Sequence, residues 1–408
     1  MKIFYFFLIF AFFSCEVFAQ EEVNFGIINQ LILKKSDEIL AQEGEVFKPK
    51  FSNLFIYDVS LNDEYQSTNR QNEFKEIGSR GRLNSSFNFA KNFSANAFLR
   101  FSQARQALED SRRSALPNGG GDRTFENEGL FVEELNLAYE GKKHALVLGK
   151  FNPNFGSAWR FNRGLWVYEI AENYRQREKL GFNGIYRLGD SKKTGRYEFG
   201  YAFFTNDRKN FDNSTITSRD SRHKSDAAVG DTRSLASYVG SLDIDFDFAP
   251  KERLTYHFAY ENLAVNSRAS AVTPAKIADQ KAWVAGMNYK YPVKDFLVLD
   301  GLLEYASVKN FGGNADAQQD YFTGNVIARF SSNWRVTLGY AKQHHAVLGG
   351  DSYDKNSSEI SFGYEFGKNA FFDRLILQAG YRNQRDNFKT SLESRNSLGA
   401  LVRYQKGF

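Results

Sequence analysis

Residues 196–203 read Arg-Tyr-Glu-Phe-Gly-Tyr-Ala-Phe: Tyr197, Phe199, Tyr201 and Phe203 take every second position, and Arg196, Glu198, Gly200 and Ala202 take the others. A strand sends alternate side chains to opposite faces, whereas a helix would scatter this pattern around its axis. The same reading holds downstream. Leu242, Ile244, Phe246 and Phe248 alternate with Ser241, Asp243, Asp245 and Asp247, and Trp334, Val336, Leu338 and Tyr340 with Arg335, Thr337, Gly339 and Ala341. Ile360, Phe362, Tyr364 and Phe366 alternate with Ser361, Gly363 and Glu365. About sixteen such segments run from 54–65 to 395–406, each about ten to fourteen residues long. That length crosses a bilayer when a strand is tilted.

The connections alternate between tight and long. Tight links fall at Lys91-Asn92, Gly141-Lys142, Ala249-Pro250, Pro292-Val293 and Ser331-Ser332; long ones occupy, among others, 66–79, 152–178, 344–356 and 384–394. One end of the molecule therefore carries turns and the other carries loops. A closed antiparallel transmembrane β-barrel of about sixteen strands, with short periplasmic turns and long extracellular loops, is built this way. In hydrocarbon only closure satisfies every strand donor and acceptor. The prolines at 49, 117, 153, 250, 274 and 292 are expected in the leader, a loop or a turn.

Composition agrees. The 408 residues include 40 Phe, 21 Tyr and 4 Trp, yet the mean hydropathy is −0.50. Many aromatics in a hydrophilic chain fit one apolar face and one wet face. Beyond the N-terminus no run approaches the length of a membrane helix. Met1-Lys2, the apolar stretch Ile3 to Phe13 and Val17-Phe18-Ala19 read as a signal peptide over 1–19, with a leader over 20–52 and the barrel over 53–408. The single cysteine, Cys15, lies inside that signal, so the mature chain needs no disulfide. A formal net charge of +5 gives no reason to expect nucleic acid.

Together, the signal, the sixteen hairpin strands, the one-sided turns and the terminal Phe408 resemble the Gram-negative outer-membrane porins, including the phosphate-selective and carbohydrate types. The stretch Leu148-Gly149-Lys150-Phe151-Asn152-Pro153-Asn154-Phe155-Gly156 resembles the strand end and start of their third loop, with the turn at Pro153, Phe155 and Gly156. The resemblance implies a water-filled channel in the outer membrane for passive diffusion of ions and small hydrophilic solutes, narrowed by an inward-folded third loop over 152–178. It also implies a homotrimer, contacts with outer-membrane lipid and lipopolysaccharide, and recognition of the C-terminal strand by the barrel-assembly machinery. Lys406 departs from that strand's usual pattern, since an aromatic is expected two residues before Phe408.

A wet lumen tolerates charge, and the polar face carries both signs. The expected constriction comprises Arg160, Arg163, Glu169, Glu172, Arg175 and Arg177 on the loop, facing Arg82 and Arg100 on the wall. Trp159, Trp166, Tyr168 and Tyr174 in the same loop either stack on sugars or pin the loop to the wall. Asp243, Asp245 and Asp247 share one face but stand about 7 Å apart, too far to converge on a cation. No metal, no cofactor and no catalytic residue is expected: phosphate-loop, dinucleotide and CxxC motifs are missing from the sequence, and the best His–carboxylate pair, His257 with Glu261, has no nucleophile motif beside it. Two other readings compete, a plugged barrel transporting hydrophobic or specific solutes and an outer-membrane barrel enzyme.

Overall fold

The structure is a computed structural model that describes residues 47–70, 73–103, 123–125, 128–161, 164–207, 229–232, 234–265, 277–331, 333–348, 350, 352–367, 369–388 and 391–408. The expected signal at 1–19 and nearly all of the leader at 20–52 lie outside the described residues. Sixteen strands form the wall: β1 (Lys50–Ser67), β2 (Phe74–Ala90), β3 (Phe93–Gln103), β4 (Glu128–Glu140), β5 (His144–Phe151), β6 (Lys179–Asp190), β7 (Gly195–Asn206), β8 (Ser237–Ala249), β9 (Glu252–Leu263), β10 (Gln280–Lys294), β11 (Leu297–Lys309), β12 (Ala317–Phe330), β13 (Trp334–Val347), β14 (Ser352–Phe366), β15 (Arg374–Phe388) and β16 (Ser391–Gly407). Each pairs antiparallel with the next, and β1 pairs with β16 from Leu54↔Gly407 to Ser67↔Arg395. Closure leaves no edge strand, which is the condition for residing in lipid.

The outward face is apolar at mid-height, with Leu148, Leu338 and Phe362 all exposed. Aromatics mark its upper limit. Trp283 and Tyr305 sit with ring centroids 5.2 Å apart, and the hydroxyls of Tyr305, Tyr340 and Tyr381 donate to Asp320, Asn356 and Asn396 on the neighbouring strand. These four aromatics are where an interfacial girdle belongs. Above them the strands continue with polar residues on both faces. The connection expected over 384–394 is accordingly part of the ladder, β15 reaching Phe388 and β16 starting at Ser391; the one expected over 344–356 shrinks likewise between Val347 and Ser352. Alternation stops where the apolar belt stops, but strand pairing does not.

Three local departures shape the lumen. At Gly149 φ is +130°, and a Cβ there would lie 2.5 Å from the Leu135 carbonyl oxygen. The kink breaks the facing of β5 and turns Lys150 inward, where it pairs with Glu178 (3.3 Å) and Asp207 (3.0 Å). Gly149→Ala is expected to lower barrel stability by about 2 kcal/mol or more, read from urea unfolding in detergent micelles. Opposite β3, register moves from Phe98↔Glu134 to Leu99↔Val132, so Glu133 is a bulge residue and both Glu133 and Glu134 are buried in the interior. Pro292 stands inside β10 rather than in a turn, at the irregularity where Pro292 opposes Val298 and Lys294 opposes Leu297. A bulge is where a strand tolerates a missing donor.

Candidate pore constriction

The connection from Asn152 to Glu178 crosses the interior, and its path follows from two apolar surfaces meeting. Inward positions of β9 to β13 include Ala259, Ala282, Val284, Leu302, Ala306 and Ala341, small or apolar residues that a water-filled lumen does not call for. Against them pack Phe155, Ala158, Val167, Ile170, Ala171 and Tyr174 of the connection, all nearly inaccessible. Two short helices, α1 (Ala158–Phe161) and α2 (Tyr168–Glu172), lie within it.

Each helix starts on a carboxylate supplied by the wall. Glu304 of β11 accepts from the amides of Ser157 (2.6 Å) and Ala158 (2.9 Å) and from the hydroxyls of Ser157 and Tyr174. Glu359 of β14 accepts from the amides of Leu165 (2.6 Å), Trp166 (2.7 Å) and Val167 (2.7 Å). The first amides of a helix have no partner within it, and an anion there is also favoured by the helix dipole. Burial, then the Glu304 charge, pushes the Tyr174 phenol well above its ordinary range. It therefore stays protonated and donates.

Every described residue of the expected constriction lines one polar cavity of about 820 Å³ between this connection and the wall of β16, β1, β2, β3 and β4. Arg163 lies outside the described residues. Arg82 and Arg100 face each other directly across the β2–β3 ladder, and Arg100 pairs with Glu133 at 3.1 Å. Arg175 bonds Glu133 (3.1 Å) and Glu172 (3.2 Å) and lies 3.6 Å above the Trp159 ring. Arg160 stacks 5.4 Å from Phe161 on the same helix. Arg177 pairs with Glu172, and Glu169 with Arg382 at 3.0 Å. Pro153 lines the cavity, Phe155 is buried beneath it, and Gly156 takes φ +78° with no room for a Cβ beside Tyr174.

The loop aromatics serve as pins. Trp166 is buried, donates its indole N–H to Asn62 and lies under Arg382; the Tyr168 hydroxyl accepts from Arg80 at 2.9 Å. His257 bonds Asp243 at 2.7 Å, so its carboxylate partner is not the expected Glu261. Sequence reasoning did not assign Glu304 or Glu359 to the loop. The signal for the first was a lone carboxylate in Leu302-Leu303-Glu304-Tyr305-Ala306, where both faces of the strand are otherwise apolar.

The closed sixteen-strand antiparallel barrel is a fold that solved outer-membrane channels share. The outer-membrane channel DcaP of Acinetobacter baumannii is similar with a TM-score of 0.51 at 12% identity, over 88% of this chain and 97% of that one. An anion-selective porin from Comamonas acidovorans matches with a TM-score of 0.47 at 14% identity over 88% and 99% of the two chains, and OmpT of Vibrio cholerae with 0.48 at 12% over 89% and 100%. No family model matches the sequence, and no curated protein does. The likeness is one of fold.

Proposed function

We propose that the protein is an outer-membrane porin, a passive water-filled channel for ions and small hydrophilic solutes, with residues 152–178 as its constriction. The observation that carries this reading is the seating of that connection: Glu304 and Glu359 anchor it on one half of the wall, and the space left on the other half is polar and lined by both signs of charge. Arg80, Asp58 and Arg403 stand side by side across three strands there, next to the opposed Arg82 and Arg100. Loop acids Glu169 and Glu172 line the same cavity, paired with Arg382 and with Arg175 and Arg177. Charges so placed order water and favour polar over apolar solutes.

Conductance of the mature chain in a planar bilayer tests the reading. Stable, near-ohmic steps are expected, arriving in threes if three copies assemble as the porin resemblance implies. The double variant Arg82→Gln/Arg100→Gln is expected to shift the reversal potential in a salt gradient toward cations, changing the permeability ratio by roughly twofold or more. A chain that inserts and never conducts would sink the open channel in favour of a plugged transporter.

A further inference from the structure

We propose that the tight turns joining β2 through β11 form a basic arc that binds the headgroups of anionic phospholipid in the leaflet around that end of the barrel. The inference rests on reading the chain as an outer-membrane channel whose tight turns face the periplasm. Between the ends of these strands stand Lys91, Lys142, Lys143, Lys192, Lys193 and Lys251, and Lys294 ends β10 at the same rim; all are exposed. Asp295 is the one acid within these five turns. Turn geometry does not call for lysine: Lys251 holds φ +71°, a conformation in which glycine is unstrained. The acids on the adjoining strand ends are already engaged. Glu140 pairs with Arg187 at 2.6 Å, Asp247 lies 3.7 Å from Arg253, Asp190 accepts from the Lys192 amide at 3.0 Å, and Glu252 accepts from the Tyr289 hydroxyl at 2.7 Å. Among the described residues, the side chains of Lys91, Lys143, Lys192, Lys193, Lys251 and Lys294 pair with no acid.

The rings beside these lysines show what surrounds them. On the outer surface next to the turns, Phe89, Phe93 and Tyr139 follow one another with centroids 6.1 and 5.1 Å apart, Phe246 and Phe248 lie at 5.9 Å, and Tyr289 and Tyr291 at 5.8 Å. Phe93, Phe248 and Phe296 are 48%, 59% and 55% exposed, and Lys294 Nζ stands 5.9 Å from the Phe296 centroid. A cell-wall polymer could offer carboxylates to the lysines, but it would leave these rings in water; acyl chains cover them. An aromatic band lies where hydrocarbon gives way to headgroups, so the phosphates of the leaflet sit at the height of the turns. A lysine there lays its four-carbon stem along the rings and puts its ammonium on a phosphate oxygen. The arc runs over ten consecutive strands, so it meets several headgroups at once.

Native mass spectrometry of the folded mature chain in detergent micelles tests this, with phosphatidylglycerol and phosphatidylcholine of the same acyl chains added in turn. Wild type is expected to retain phosphatidylglycerol in preference by at least about fivefold. With all seven lysines changed to glutamine the preference falls to within about twofold of none, and with all seven changed to arginine it persists, since the charge is kept. Heat-modifiable migration on a denaturing gel reports that each variant is folded, and its planar-bilayer conductance stays close to wild type because the turns lie outside the lumen. Equal retention of the two lipids by wild type overturns the proposal, as does a glutamine variant that holds phosphatidylglycerol as wild type does. It is also overturned if inorganic phosphate or purified peptidoglycan binds through the same lysines while the two lipids are not told apart. A chain that shows the lysine-dependent preference and never conducts keeps the basic arc and loses the open channel.

Discussion

In the double variant Glu304→Gln/Glu359→Gln the barrel folds and migrates as wild type does, while the amides of Ser157, Ala158, Leu165, Trp166 and Val167 exchange hydrogen roughly 10- to 100-fold faster. Both carboxylates accept only from donors, four at Glu304 and three backbone amides at Glu359. Glutamine has nearly the same shape, but its NH₂ must face at least one of those donors. Leaving a buried donor without an acceptor costs about 1–3 kcal/mol, and each 1.4 kcal/mol of local opening is tenfold in exchange. The wall does not depend on the loop, because each strand pairs continuously with both neighbours. Hydrogen exchange followed by mass spectrometry in micelles gives the answer. Unchanged protection at Leu165 to Val167 would mean that apolar packing alone holds the loop.

The wall was legible because lipid imposes a strict rule: one face apolar, one face polar, over the thickness of the hydrocarbon. Residues such as Trp334 to Tyr340 obey it and were placed on the correct faces. Where the rule lapses, so does the reading. Above the girdle, Asn383, Arg385 and Asn387 face out and Gln384 and Asp386 face in, and nothing in a run of polar residues distinguishes a tall strand from a loop. In β5 the alternation fails at Gly149 because the backbone itself turns there. For the candidate site, charge content located the loop residues that share the cavity, since charges avoid lipid wherever they fall. Their pairing was out of reach. Arg382 meets Glu169 across 213 residues of sequence and Glu359 meets Trp166 across 193, contacts that only barrel closure creates. Inward alanines and glycines were a second signal, for a lumen facing water has no need to be small and apolar.

Gly399 and Gly339 mark where that signal has its sharpest consequence. A Cβ on Gly399 of β16 would lie 2.3 Å from Cζ2 of Trp166, and one on Gly339 of β13 would lie 2.4 Å from Cγ2 of Val167. Trp166 has no room to retreat, because Glu359 holds its amide, Asn62 its indole and Arg382 covers its ring. Valine suits a strand, so Gly399→Val leaves wall pairing intact and forces α2 to move. Its free direction is the cavity, and single-channel conductance is expected to fall at least about twofold. Trp166→Ala in the same chain empties the contested volume, so the double variant Gly399→Val/Trp166→Ala recovers conductance that Gly399→Val lost. Such non-additivity is the mark of two residues competing for one space, and distant sites do not show it. Equal conductance in Gly399→Val and wild type, or a double variant no better than the single, would show that α2 does not set the channel's width.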